Sequence, residues 1–325
     1  MIKVGISGSS GYVAGELLRC LVNHPEVEID FLYSHSNHGK SVSEIHTDLL
    51  AHSNLKFTQE VNVDVDVMFL CLGHGNSKQF LEQHPFSSAT KVIDLSNDFR
   101  LKEDADFNGN EFVYGLVESQ KEAIQSASHV ANPGCFATAI QLALLPLADA
   151  QLLSNDIHVH AITGSTGAGQ ALSSTSHFSW RNNNISIYKP FSHQHLGEIG
   201  ETIASLQKDF HNTINFLPIR GDFTRGIFAS AYMQTDKSER ELIEIYRNYY
   251  ADSAFTFVSE KPIDLKQVVN TNYCFLHIQK IDGKVLITSV IDNLLKGAAG
   301  QAIQNMNLMF HFPEKTGLAF KSSQF

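Results

Sequence analysis

Ile2-Lys3-Val4-Gly5-Ile6-Ser7-Gly8-Ser9-Ser10-Gly11-Tyr12-Val13-Ala14-Gly15 opens the chain with an apolar strand pattern, a glycine-rich turn and the start of a helix. Such a turn lets a pyrophosphate approach backbone N–H groups at a helix N-terminus, where the dipole favours negative charge. The spacing, G-x-x-G-x-x-A-G, approaches the dinucleotide fingerprint without matching it, and any strand-to-helix turn welcomes glycine. Its place at the head of an alternating strand–helix pattern favours cofactor binding, with Gly8, Ser9, Ser10, Gly11, Tyr12 and Val13 as the contacting residues.

Working outward, residues 12–21 read as a helix with Leu17, Leu18 and Leu21 on one face, and residues 27–33, 65–72 and 91–95 read as further strands. Strands alternating with helices imply parallel pairing, so this part is α/β with a doubly wound sheet. A helix is expected from residue 135 to about 148. Beyond it, strands at 158–163, 215–218, 226–234, 273–280 and 284–291, joined by helices at 198–210 and 239–250, indicate an α+β second domain. A last helix is expected over 297–310.

The 325 residues exceed what one core usually serves, and 43% hydrophobic with 18% charged content excludes a disordered or disulfide-scaffold chain. With 24 basic against 34 acidic residues and no basic tract, neither nucleic acid nor an anionic membrane surface is an expected partner. No apolar run reaches the roughly 18 residues of a spanning helix, and the N-terminus lacks a signal-peptide pattern. Cys20, Cys71, Cys135 and Cys274 form no CxxC pair, which suits reduced thiols in the cytosol.

At the end of the second strand the fingerprint expects an acid for the ribose 2′-hydroxyl. Tyr33-Ser34-His35-Ser36-Asn37-His38-Gly39-Lys40 has none. Ser34, Ser36 and Lys40 offer donors and a charge for a 2′-phosphate, which favours NADP (NADPH) over NAD, against the bland alternative of a polar loop.

Asn132-Pro133-Gly134-Cys135-Phe136-Ala137-Thr138 is the most informative segment. Proline and glycine make a sharp entry turn and place Cys135 at the first position of an apolar helix, where unpaired N–H groups stabilise a thiolate. The other three cysteines fit the ordinary state of a small buried thiol. A thiolate beside a nicotinamide attacks an acyl phosphate or aldehyde, passes through a thioester and exchanges hydride with the cofactor. Sixteen histidines invite a metal reading, but His158-Val159-His160 lacks a third ligand of motif type, so no metal is expected.

The chain resembles the N-acetyl-gamma-glutamyl-phosphate reductase family, relatives of aspartate-semialdehyde dehydrogenase. The resemblance spans essentially the whole sequence. It is carried by Gly8 to Gly15, Asp94-Leu95-Ser96-Asn97-Asp98-Phe99-Arg100, Tyr114-Gly115-Leu116, Asn132 to Thr138, Gly164-Ser165-Thr166-Gly167-Ala168-Gly169, His193-Gln194-His195, and Asp292-Asn293-Leu294-Leu295-Lys296-Gly297-Ala298-Ala299-Gly300-Gln301. It implies a Rossmann-type first domain, an α+β substrate and dimerisation domain, NADPH, an acyl-phosphate substrate, and a homodimer or homotetramer. It also implies that a histidine of the 193–195 segment is the acid/base partner of Cys135, with His195 preferred to His193.

Arg100 corresponds to a phosphate-contacting arginine, with a salt bridge to a neighbour such as Glu103 as its alternative. Asn132, Ser165 and Arg225 join it as the substrate set, the last two with structural alternatives. The resemblance places Asn293 and Gly297 near the nicotinamide, where Asn293 could instead cap the last helix. It also returns that helix to the first domain, giving residues 1–145 with 297–325 as one domain and 146–296 as the other.

The sequence departs from the common family pattern at Val117 and Gly197, where relatives carry proline, and at Gln170, often arginine. These changes bear on substrate detail, not reaction class. Ser176-His177-Phe178-Ser179-Trp180-Arg181-Asn182-Asn183-Asn184, holding the only tryptophan, could line an acyl pocket or face an oligomer partner. Competing readings are aspartate-semialdehyde dehydrogenase, a different N-acyl substrate such as N-succinyl, and a non-catalytic NADP-binding redox sensor.

Overall fold

The opening apolar run forms the strand Ile2–Ser7, which lies inside an eight-stranded sheet of the computed structural model; the structure describes residues 1–52 and 54–323. Across the sheet the order is Phe57–Thr58, Val27–Tyr33, Ile2–Ser7, Val67–Leu70, Lys91–Asp94, His129–Ala131, Asn110–Tyr114 and Asp106–Phe107. All neighbouring pairs are parallel except the last. Val67–Leu70 is buried at all four positions, as a strand covered on both faces requires. The order reverses between Ile2–Ser7 and Val67–Leu70, and such a switch point opens a ligand crevice at the carboxyl ends of the two strands.

The second sheet has seven strands in the order Ser186–Ile187, Ile214–Arg220, Ile157–Thr163, Ile227–Gln234, Lys284–Ile291, Cys274–Ile281, Thr256–Ser259, with mixed directions. Its strands alternate: Ile157, Val159, Ala161 and Thr163 are buried, whereas His158 is half-buried and His160 exposed. This period of two marks a sheet with one covered face. The helix Cys135–Asp149 lies over it. Every residue from Phe136 to Ala148 is buried, because the helix is apolar all round. Helix Glu239–Tyr249 fastens to it, the Tyr246 and Tyr250 hydroxyls donating to the carbonyls of Ala143 and Leu142.

Two compact units result: Met1–Pro133 with Ala298–Ala319, and Gly134–Gly297 with the residues from Phe320 onward. The boundary therefore precedes the one expected at residue 145. Helix Cys135–Asp149 belongs wholly to the second unit, because its apolar surface and its carbonyls serve that unit's core. The last helix also begins differently. Asp292 Oδ1 accepts from Leu294 N at 2.8 Å and Leu295 N at 3.0 Å, then a wide π-turn, Leu295–Ala299, precedes the regular helix Gly300–Met309. The capping residue is thus Asp292, not Asn293. Four short elements of the first unit, Ser77–Gln83, Asn110–Tyr114, Val117–Ser126 and His129–Ala131, lie in stretches assigned no element from the sequence.

Candidate active site

The glycine turn of the first unit is shaped for close approach. Gly8 has φ of +64°, and a Cβ there would overlap the carbonyl of Cys71, so only glycine fits. Gly11 begins the helix Tyr12–Leu21 without a side-chain cap, leaving the end of the helix open to a ligand. His46 braces the turn from below: its Nε2 lies 2.8 Å from Ser9 O, and a Cβ on Gly15 would fall 2.7 Å from its Nδ1. No sequence motif flagged His46. Ser9 is buried, its hydroxyl donating to Tyr33 O at 2.8 Å, so it ties the turn to the second strand instead of presenting a free hydroxyl. Ser34 Oγ lies 3.5 Å from Ser10 Oγ, which brings the 34–40 segment beside the turn. Ser36 and Lys40 are exposed, the Lys40 Nζ donating to Asn37 Oδ1 at 3.1 Å.

The Asp94 to Arg100 motif is a knot of inward-turned alternate residues. Asp94 accepts from the Ser77 and Ser96 hydroxyls at 2.6 and 2.7 Å. Burial pushes its carboxyl up to about 6, against the pull of those hydrogen bonds and of Arg100. Asp98 accepts from Gly75 N and Ser77 N at 2.6 and 2.9 Å, holding the start of helix Ser77–Gln83. Arg100, buried, donates to Asn132 O at 2.8 Å and Leu95 O at 3.1 Å. Asn132 in turn donates to Ala298 O at 3.1 Å and accepts from Asn305 at 3.1 Å. Arg100 and Asn132 therefore fix the turn that leads to Cys135.

In the second unit, Cys135 is the half-buried first residue of an otherwise buried helix. A Cβ on Gly134 would overlap the His195 imidazole, with Cε1 at 2.6 Å and Cδ2 at 2.7 Å; the ring lies flat against the residue before the cysteine. A Cβ on Gly297 would stand 2.8 Å from Cys135 Cβ, so glycine is needed there for close packing on the nucleophile. His195 is the first residue of helix His195–Leu206, and one turn on, buried Glu198 accepts from Gly134 N at 2.9 Å. Its other oxygen lies 3.9 Å from His195 Nε2. The sequence reading passed over Glu198, although its i, i+3 spacing from His195 placed both on one helix face.

His193 packs edge-on against His195 with ring centroids 4.5 Å apart, and its Nδ1 accepts from His195 N at 3.2 Å. Burial, with a smaller contribution from Lys189, lowers His193 to about 4, so it is a neutral acceptor near pH 7. Tyr188, beneath the Arg220 guanidinium at 4.7 Å, completes the surround. Its phenol is raised far above the ordinary range, first by burial and then by the nearby Cys135. Cys71 sits just past its strand, and burial followed by Asp94 holds its thiol strongly protonated.

The remaining sequence candidates lie on turns and bends of the second unit. Arg225 grips the fully buried Asp292 through two bonds of 3.1 Å. Asn293 Oδ1 accepts from Gly226 N at 2.6 Å and its Nδ2 donates to Thr166 at 3.1 Å, buckling the glycine-rich turn to the 225–226 turn. Ser165, half-buried, begins the single turn Ser165–Ala168, its N–H bonded to Phe223 O. Among the described residues, no group of three or more His, Cys, Asp or Glu side chains converges as a metal site would require.

Residues 3–127 match the family model described as semialdehyde dehydrogenase, NAD binding domain, and residues 135–293 match semialdehyde dehydrogenase, dimerisation domain. N-acetyl-gamma-glutamyl-phosphate reductase of Flavobacterium johnsoniae is 58% identical over 325 residues, all of both chains. The chain belongs to the N-acetyl-gamma-glutamyl-phosphate reductase family. The reductases so named from Christiangramia forsetii and Parabacteroides distasonis, 54% and 53% identical, again match over the whole of both chains. The fold is shared with aspartate semialdehyde dehydrogenase II of Vibrio cholerae, at 17% identity and a TM-score of 0.73 over 96% of this chain and 98% of that one. The Candida albicans aspartate semialdehyde dehydrogenase solved with NADP gives a TM-score of 0.66 at 14% identity, over 95% and 98%. The match over residues 3–127 supports a nicotinamide cofactor for the first unit.

Proposed function

We propose that this chain reduces N-acetyl-gamma-glutamyl phosphate to N-acetylglutamate 5-semialdehyde and phosphate, in arginine biosynthesis, with NADPH as reductant. The observation that carries the chemistry is Cys135 at a helix start with the His195 imidazole pressed on Gly134 and Glu198 behind both. His195 takes the thiol proton, and the Cys135 sulfur attacks the acyl carbon. The N–H groups at the start of helix Cys135–Asp149 face the oxyanion that forms. Collapse breaks the bond from carbon to the phosphate oxygen and leaves a thioester on Cys135. The nicotinamide, when bound, supplies the hydride that converts the acyl carbon to the aldehyde level. The C–S bond then breaks, and His195 returns its proton to the departing sulfur. Glu198 is a positioning residue: it holds the N–H of Gly134 and lies where it favours the imidazolium.

Arg100 gives the phosphate a cationic partner in this reading, while Arg225 and Asn293 keep their turns in register. The preference for NADPH rests on the absence of an acid from residues 34–40 beside the glycine turn. The chain acts in the cytoplasm as a homo-oligomer, the latter supported by the description of the model its second unit matches.

The test is phosphate-dependent reduction of NADP⁺ with N-acetylglutamate 5-semialdehyde, with aspartate semialdehyde and N-succinylglutamate semialdehyde as competitors. Cys135→Ser is expected to abolish turnover while retaining NADPH binding. Turnover of aspartate semialdehyde alone would overturn the substrate assignment, and substantial turnover by the serine variant would overturn covalent catalysis.

A further inference from the structure

Two arginines meet at one edge of the second unit's sheet, Arg181 at the end of the short helix Phe178–Arg181 and Arg220 at the end of strand Ile214–Arg220. Their circumstances are opposite. Arg181 is buried and fully engaged, its guanidinium donating to the carbonyls of Thr175, Asn184 and Arg220 and to the Ser186 hydroxyl. Arg220 Nε is buried with no hydrogen-bond partner, and its Nη1 reaches Thr175 Oγ1 only at 3.5 Å, the outer limit of a hydrogen bond. Among the described residues neither guanidinium forms an ion pair, and the two cations repel: the Arg220 charge adds to burial in lowering Arg181 from its ordinary value. An orphaned buried donor beside a like charge costs stability, so Arg220 is a poor structural brace.

Its position supplies a different reason. The Arg220 guanidinium lies 4.7 Å over the Tyr188 ring. Tyr188 stands 5.7 Å from the His193 ring, which is 4.5 Å from His195, and its phenol is raised by burial and then by Cys135. The cation is therefore one ring away from the histidine pair of the cysteine site. A guanidinium lying on an aromatic face keeps its N–H edge directed sideways, where it offers two parallel donors to a planar carboxylate. N-acylglutamyl compounds carry such a carboxylate a few bonds from the carbon that reacts.

We propose that Arg220 is a specificity-determining residue that receives a carboxylate of the acyl-glutamyl substrate on its Nε and an adjacent Nη, while Cys135 attacks the other end. Arg181 holds the backbone carbonyl of Arg220 and fixes the root of the side chain, and Tyr188 fixes its plane. The carboxylate has two sources: the α-carboxylate that every N-acylglutamate carries, or the terminal carboxylate of a dicarboxylic acyl group such as succinyl. Either one satisfies the orphaned Nε and neutralises the unpaired cation. A substrate without it leaves both as they are, which is how a buried polar group rejects a near-isostere. The identity of the substrate rests on the reductase reading, whereas the carboxylate site itself does not.

The experiment compares the full chain with Arg220→Leu, Arg220→Lys and, as a control on the exposed Arg240–Glu244 pair, Arg240→Leu. Phosphate-dependent NADP⁺ reduction is measured with N-acetylglutamate 5-semialdehyde, its α-carboxamide and N-succinylglutamate 5-semialdehyde. Arg220→Leu is expected to raise the aldehyde KM by about 10- to 100-fold, the loss of one charge-assisted contact, with kcat, the phosphate KM and NADPH affinity retained. Arg220→Lys should recover part of the loss, Arg240→Leu should behave as the parent, and the leucine variant should melt no lower than the parent, since it breaks no ion pair. With the α-carboxylate as ligand, the carboxamide loses the same factor in the parent and nothing further in Arg220→Leu. With an acyl carboxylate as ligand, the parent favours the succinyl substrate and the variant does not. An unchanged KM for all three aldehydes would overturn the proposal, as would a rise confined to phosphate, a fall in kcat alone, or a destabilised leucine variant. Calorimetric titration with N-acetylglutamate and N-succinylglutamate, which cannot react, separates this site from the reductase reading. Arg220-dependent binding without aldehyde turnover would end that reading and leave the site standing, whereas binding of neither, or equal binding by Arg220→Leu, would remove the site.

Discussion

Gly134→Ala isolates the contact on which the catalytic reading depends. The backbone of Gly134 has φ of −69° and ψ of 150°, ordinary extended geometry that alanine adopts without strain. The effect must therefore come from the added methyl, which would sit 2.6 and 2.7 Å from two carbons of the His195 ring. Carbon atoms prefer roughly 3.5–4.0 Å, so the imidazole has to retreat by about 1 Å. Overpacking of this kind costs roughly 1–3 kcal/mol of stability. A displacement of about 1 Å at a reacting group lowers the rate on the order of 100-fold.

The assay is phosphate-dependent NADP⁺ reduction with N-acetylglutamate 5-semialdehyde, paired with fluorescence titration of NADPH, which should be unaffected. Gly200→Ala is the control: it lies in the same helix as His195, with nothing within 4 Å of the added Cβ. It should leave the rate unchanged and add about 0.5–1 kcal/mol of stability. A folded Gly134→Ala enzyme with kcat within about twofold of the parent would refute the assignment of His195 as proton carrier.

The histidine pair separates by pH. Because burial lowers His193 to about 4, this ring favours the folded state only while neutral. It is neutral in both states above about pH 6.5, and its unfavourable protonation costs stability as pH falls from 6.5 toward 4, by up to about 3 kcal/mol. His193→Asn should flatten that loss in urea unfolding and retain the neutral-pH limb of the rate profile, which His195→Asn should abolish; the opposite pattern would exchange their roles. Arg100→Leu should cost roughly 2–4 kcal/mol through the orphaned carbonyls of Asn132 and Leu95 and raise the KM for phosphate more than tenfold, with NADPH affinity intact. An unchanged phosphate KM would reduce Arg100 to a brace. Ser34→Asp should narrow or reverse the ratio of kcat/KM for NADPH over NADH, since a carboxylate repels a 2′-phosphate; an unaltered ratio places the 2′ position elsewhere.

What could be read in advance depended on whether a property is local. Glycine-rich turns, apolar strands such as Val67–Leu70 and the Pro-Gly entry to Cys135 carry their own conformational reasons, and the structure has each of these elements. Helix Cys135–Asp149 was recognised but given to the first domain, because a helix apolar on every side does not disclose which sheet it covers. His129–Ala131 has only three residues and takes its strand character from its neighbours on either side. Glu198 and His46 escaped for a related reason. Each acts on a backbone atom 37 or more residues away, Gly134 N and Ser9 O, and no spacing in the chain announces such a partner.

The wandering of the chain between units also sets an order of birth. Helix Gly300–Met309 belongs to the first unit, where Asn305 bonds the carbonyl of Gly115 and the amide of Asn132, and Asn307 meets His24, 283 positions earlier. As the chain is synthesised, the nucleotide-binding sheet is drawn out first yet lacks one of its packing helices until nearly all of the second unit has followed. The second unit holds residues 134 to 297 in one run and can close its core earlier. The older half must therefore stand open, its apolar face unpaired, while the younger half matures. Chaperone engagement during translation should concentrate in that interval, and moving residues 298–319 to the N-terminus by circular permutation should shorten it.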